Sequence, residues 1–69
     1  MPYVNIKVTD LGVTREQKAR LIAGVTQLLQ DVLQKNPATT FVVIDEVNTD
    51  NWGTGGIQVS ERDRLQHPG

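Results

Sequence analysis

The sequence predicts an α+β chain: a β-α-β protomer with parallel strands, followed by a C-terminal hairpin, that extends its sheets into an oligomer. Three observations carry this. Residues 3–9 alternate apolar and polar side chains, as a half-buried strand does. Residues 15–34 repeat apolar side chains every three or four positions, as an amphipathic helix does. Residues 39–47 form a β-branched run of strand length. Two strands joined by one long helical connection favour parallel pairing and a right-handed crossover.

In the first strand Val4, Ile6 and Val8 face one way and Tyr3, Asn5 and Lys7 the other. Asp10-Leu11-Gly12 ends it. Thr14-Arg15-Glu16-Gln17 is a capping-box pattern, in which the Thr14 hydroxyl accepts from the Gln17 N–H and the Gln17 side chain reaches back. The helix then runs from Arg15 to about Gln34, and Asn36-Pro37 stops it, because the residue before proline avoids the helical region. Its apolar stripe holds Ala19, Leu21, Ile22, Val25, Leu28, Leu29, Val32 and Leu33, with Gly24 inside it. The second strand is read from Thr39 to Val47. Asn48-Thr49-Asp50-Asn51 is turn chemistry, and Ile57-Gln58-Val59-Ser60 is a short strand or half of a hairpin. The polar tail from about Glu61 is expected to fray unless a partner holds it.

The chain of 69 residues is one domain, 1–69, near the lower limit of independent stability. It has no cysteine and a single histidine, His67, so neither a disulfide nor a thiolate or histidine metal site is expected to staple it. Self-association is the remaining device. Phe41 to Ile44 are consecutively apolar, so that strand needs cover on both faces, and one helix covers only one face. A net charge of −1 argues against nucleic acid as a partner. No apolar run approaches a membrane span, and the first residues show no basic n-region or apolar h-region; a soluble cytoplasmic protein is expected.

Few residues offer chemistry. Ser60 has no histidine near it in sequence. Asp45 and Glu46 are adjacent on a strand and point to opposite faces, so one solvated and one ion-paired carboxylate are expected rather than an acid–base pair. Trp52-Gly53-Thr54-Gly55-Gly56 lacks the Lys-Ser/Thr of a phosphate loop and reads as turn glycines. Pro2 remains. Aminopeptidases commonly remove Met before proline, which would leave a secondary amine on a rigid ring at the head of a strand. An α-amino group has a pKa of about 7.7–8.0, and burial lowers it toward the range of a base that works near neutrality. Against this stands a plain role as a strand-start residue with no hydrogen bond to lose.

Taken together, Met1-Pro2-Tyr3-Val4-Asn5-Ile6-Lys7-Val8, Thr14-Arg15-Glu16-Gln17-Lys18, Val42-Val43-Ile44-Asp45-Glu46-Val47 and Asn51-Trp52-Gly53-Thr54-Gly55-Gly56 resemble the 4-oxalocrotonate tautomerase family, in order and at near-family spacing. The resemblance implies dimers with a four-stranded sheet and a hexamer built as a trimer of dimers. It implies Pro2 as the general base of a keto–enol tautomerase acting on an enol or keto acid, with no cofactor. Trp52 falls at the position of an aromatic pocket residue, and Tyr3 and Thr39 are expected to line the same pocket.

Val13 and Phe41 stand where the best-known members carry arginines, and the loop from Asp10 to Val13 is one residue longer. A pocket of Tyr3, Phe41 and Trp52 suits a less charged, aromatic keto acid better than a dicarboxylate. Arg15 from one turn away, Arg62 or Arg64 from a neighbour's tail, and Lys7 are the candidate charge partners, each also readable as solvated surface. Two alternatives stay open. One is a related proline-dependent hydratase, dehalogenase or decarboxylase. The other is a non-enzymatic oligomeric or small-molecule-binding module of the same fold.

Overall fold

The computed structural model describes residues 1–66. Strand β1 spans Tyr3–Thr9, helix α1 Arg15–Leu33 and strand β2 Phe41–Val47. The two strands pair in parallel, with Tyr3 opposite Phe41, Ile6 opposite Ile44 and Thr9 opposite Val47. This register puts Val4, Ile6 and Val8 on one face with Val42, Ile44 and Glu46. Tyr3, Asn5, Lys7 and Thr9 share the other face with Phe41, Val43, Asp45 and Val47.

Helix α1 starts where the sequence places it. The Gln17 N–H donates to the Thr14 hydroxyl at 3.1 Å, and the Thr14 N–H donates to Gln17 Oε1 at 2.9 Å. The helix returns along the sheet and covers the face of Val42 and Ile44, packing mainly over β2 and only lightly against β1. The Lys18 ammonium bonds the Glu46 carboxylate at 3.0 Å and ties the first turns of α1 to the far end of β2. The helix closes earlier than Asn36-Pro37. Gln34 adopts a left-handed conformation (φ 54°) and its N–H donates back into the last turn.

Four sequence expectations are corrected. Thr39 is not in β2 but in a 3₁₀ turn, Pro37–Thr39, because Asn36 Oδ1 accepts from the Ala38 N–H and the Thr40 N–H closes onto the Pro37 carbonyl. Asp45 and Glu46 are both ion-paired, since Lys7 on the neighbouring strand reaches Asp45 at 3.0 Å while Lys18 takes Glu46. The second half of Ile57–Ser60 is helical. Strands β3, Gly53–Thr54, and β4, Ile57–Gln58, form a short antiparallel hairpin, and helix α2 begins at Val59 and runs to Gln66. The tail from Glu61 is thus helical through Gln66 rather than irregular. Its first turn is held by the Val59 N–H on the Trp52 carbonyl (2.8 Å) and the Ser60 hydroxyl on Asp50 Oδ1 (2.6 Å), and Arg64 donates to Glu61 within the helix (3.1 Å). His67, Pro68 and Gly69 lie outside the described residues. The hairpin turn needs positive φ at both central residues, and Gly55 (62°) and Gly56 (85°) supply it.

None of the described side chains is fully buried. The chain measures 48 × 25 × 15 Å, with a radius of gyration of 15.9 Å. A compact chain of this length would have a radius near ~11 Å. It exposes 5277 Å², whereas a compact monomer of its mass exposes about 4300 Å². Large apolar side chains are among what is exposed. Tyr3, Phe41 and Val43 stand uncovered on the face away from α1, and Leu21, Leu28 and Val32 form an exposed stripe along one flank of α1. Among the described residues no helix is long and apolar enough to cross a membrane.

Candidate functional site

Pro2 sits at the head of β1, half-buried, while Met1 before it is 87% exposed. The Phe41 N–H donates to the Pro2 carbonyl at 3.0 Å. This bond extends the β1–β2 ladder by one step and fixes the ring at the edge of the sheet, and it leaves the Pro2 nitrogen out of the ladder. Tyr3 and Phe41 are register partners on the face that α1 leaves open, 65% and 49% exposed. The structure thus brings Pro2, Tyr3 and Phe41 to one end of the sheet, with Thr39 two residues before Phe41 in the 3₁₀ turn.

Trp52 lies at the other end. Its indole N–H donates to the Val47 carbonyl at 3.2 Å, and Val47 is the last residue of β2. Seven residues of strand separate the two ends by about 20 Å. Within one chain the structure does not bring Trp52 to Pro2. Arg15 opens α1 at the Trp52 end, and Arg62 and Arg64 lie on α2, which packs on the 3₁₀ turn Thr49–Asn51 just before Trp52. Lys7 is in the middle of the open face, bonded to Asp45 Oδ2 at 3.0 Å. The Asn5 amide donates to the same oxygen at 2.8 Å. These bonds, the Asn5 amide foremost, hold the Asp45 carboxyl below its ordinary value.

Two grooves flank α1. The larger, about 550 Å³, lies between α1 and β1 and is lined by Val8, Val13, Gln17, Arg20 and Leu21. The smaller, about 360 Å³, is lined by Arg15, Glu16, Lys18, Ala19 and Ile22. Val13 and Arg15, two residues apart in sequence, therefore open into different grooves. The arginine that shares a groove with Val13 is Arg20. Sequence reasoning passed over Arg20; the signal was its i, i+3 spacing from Gln17, which puts both polar side chains on the flank next to Val13. Among the described residues no three His, Asp or Glu side chains gather as a metal site requires.

A family profile described as tautomerase enzyme matches residues 2–62. A probable tautomerase of Dickeya dadantii (strain 3937) is 71% identical over 62 residues, spanning 90% of this chain and 92% of that protein. The crystal structure of DmpI from Helicobacter pylori superimposes with a TM-score of 0.84 at 45% identity, covering 91% of this chain and 97% of that one. A heterohexamer 4-oxalocrotonate tautomerase from Chloroflexus aurantiacus J-10-fl superimposes with a TM-score of 0.80 at 28% identity, covering 88% and 97%. The likeness runs along nearly the whole chain, and the chain belongs to the tautomerase family.

Proposed function

We propose that this chain is a keto–enol tautomerase whose base is the Pro2 amine, freed by removal of Met1, and that it works as a single-domain homo-oligomer. The observation that carries the reading is the Phe41-to-Pro2 hydrogen bond: it holds the ring through the carbonyl, so loss of Met1 frees the nitrogen without releasing the residue. The amine takes the enol O–H proton, and a proton is returned to the adjacent carbon as the C=O forms. Atoms balance with no cofactor. A neutral amine is needed, and the aromatic side chains around it disfavour its charged form.

The substrate class follows from the side chains at that end of the sheet. Tyr3 and Phe41 offer aromatic surface where a dicarboxylate would need cations. An aryl keto acid such as phenylpyruvate, through its enol, fits this better than 2-hydroxymuconate.

The site takes residues from two copies. Trp52 serves a Pro2 that is not its own, because the two lie at opposite ends of one sheet. Strand β1 has an open edge, and α1 leaves the flank beside it uncovered. Two copies joined antiparallel through their β1 edges around Ile6 would set Tyr3 of one opposite Thr9 of the other, and so bring Pro2 of one to the Trp52 end of its partner. The open face bearing Tyr3, Phe41 and Val43 needs a second layer of cover. A trimer of such dimers provides it, in keeping with the hexameric relative.

The test is an intact mass of untagged protein, then a comparison with Pro2→Ala. A mass lacking methionine is expected, with ketonisation of phenylenolpyruvate falling at least ~100-fold in Pro2→Ala at unchanged oligomer size. Retained Met1, or activity that survives the substitution, overturns the mechanism.

A further inference from the structure

We propose that Arg20 is the carboxylate-binding residue of this site, acting from one copy on the substrate held at Pro2 of the other; the inference rests on the tautomerase reading above. The groove between α1 and β1 has the volume of a small-molecule site, about 550 Å³. Val8, Val13 and Leu21 make its wall apolar, and Gln17 and Arg20 are its polar groups. Lys7 and Lys18 are each spent on a carboxylate of the sheet. Arg20 has no hydrogen-bond or ion-pair partner among the described residues.

Gln17 supports the same reading independently. Its Oε1 is taken by the Thr14 N–H at 2.9 Å, which orients the amide and leaves the NH₂ end as a donor. A guanidinium fork and a fixed amide donor on neighbouring turns of one helix present N–H groups to a carboxylate and nothing that accepts. The groove also lies where the substrate would be. Its β1 wall is Val8, and in the antiparallel β1 pairing Val8 falls opposite Val4 of the second copy, two residues from that copy's Pro2. Pro2 is in phase with Val4 and Val8, so the reacting end of a keto acid at Pro2 of one chain faces Arg20 of the other on the α1 side, while its aryl end would pass round the head of β1 toward Tyr3 and Phe41 on the open face. Val13 and Phe41 are then both tolerated, because the cation comes from α1.

The experiment compares the processed full chain with Arg20→Ala, Arg20→Lys and Pro2→Ala. It uses the enol of phenylpyruvate, the enol of its uncharged methyl ester, and equilibrium binding of phenylpyruvate by calorimetry. Arg20→Ala is expected to raise KM for the acid, and to weaken phenylpyruvate binding, by about tenfold or more, with kcat held within about twofold. The ester is expected to be unaffected, Arg20→Lys to recover part of the loss, and the oligomer to keep its size. Unchanged binding of the acid, or equal losses on acid and ester, overturns the proposal. A fall in oligomer size in Arg20→Ala also overturns it, since the groove would then be filled by the second copy itself. Activity surviving in Pro2→Ala overturns the tautomerase reading and leaves the binding titration to decide on Arg20. A wild-type chain that neither binds nor converts phenylpyruvate overturns both.

Discussion

The backbone N–H of Phe41 holds the carbonyl of Pro2 at 3.0 Å, so the side chain of Phe41 and the position of Pro2 are set by separate parts of the same residue. The ladder bond survives any non-proline substitution at 41. The ring of Phe41, paired with Tyr3, contributes only to what the substrate touches.

That separation makes Phe41→Arg an informative change. It is expected to keep the fold and the Pro2 position while adding a cation beside the base. The ratio of kcat/KM for 2-hydroxymuconate over phenylenolpyruvate should rise by about tenfold, the worth of one added charge-assisted contact. Steady-state rates on the two substrates measure it. A ratio that stays put would mean the pocket does not include residue 41.

Much of this arrangement was legible in the sequence, and the legible part is the local part. The alternation of Val4, Ile6 and Val8 and the Thr14–Gln17 box involve residues within a turn or a strand of one another, and both appear in the structure as written. Gly55 and Gly56 read as turn glycines for the same reason, and they form the hairpin turn. The missed features join segments that are not adjacent. The Ser60 hydroxyl donates to Asp50 across the hairpin, in the first turn of a helix where the polar composition suggested a loose tail. Arg20 was passed over because periodicity says which residues share a helix flank, not which strand that flank overhangs. Only the seating of α1 over β2 opens the groove beside β1.

Stability should depend on protein concentration. With no fully buried side chain among the described residues, a lone chain has little to offset the entropy of ordering itself. Partner chains that cover Leu28, Val32 and Phe41 supply the missing burial. Thermal unfolding followed by circular dichroism over a hundredfold dilution is expected to show a Tm that falls on dilution. A Tm independent of concentration, with a monomer by sedimentation, would remove the assembly argument.

The Asn5–Lys7–Asp45 cluster gives a pH dependence. Asn5 and Lys7 stabilise the ionised Asp45, so its folded pKa lies below the ordinary 3.8. A depressed carboxyl contributes stability that is complete above the unfolded value and is lost as pH falls through the folded one. The acid limb of the wild-type stability curve below about pH 4 should therefore be flatter in Asp45→Asn, and the two proteins should converge at low pH. Parallel curves down to the acid end would show that the cluster does not distinguish folded from unfolded chains.

The two-copy site is tested most directly by mixing inactive chains. Pro2→Ala lacks the base and keeps Trp52; Trp52→Ala keeps the base and lacks the aromatic wall, and its Val47 carbonyl loses the indole donor. Each alone is expected to lose most of its activity. In one chain the two positions lie about 20 Å apart along the sheet, so neither variant repairs itself. If a site draws Pro2 from one copy and Trp52 from another, co-refolding the variants in equal amounts gives mixed pairs, each with one intact site and one doubly altered site. Half of randomly formed pairs are mixed, so about a quarter of wild-type activity should return. The readout is the rate per chain after co-refolding, set against the two variants refolded apart and then combined. Recovery in the first sample and not in the second requires residues from two chains in one site. No recovery in either, with mixed oligomers verified by mass, would mean Trp52 serves the fold of its own chain and takes no part at Pro2.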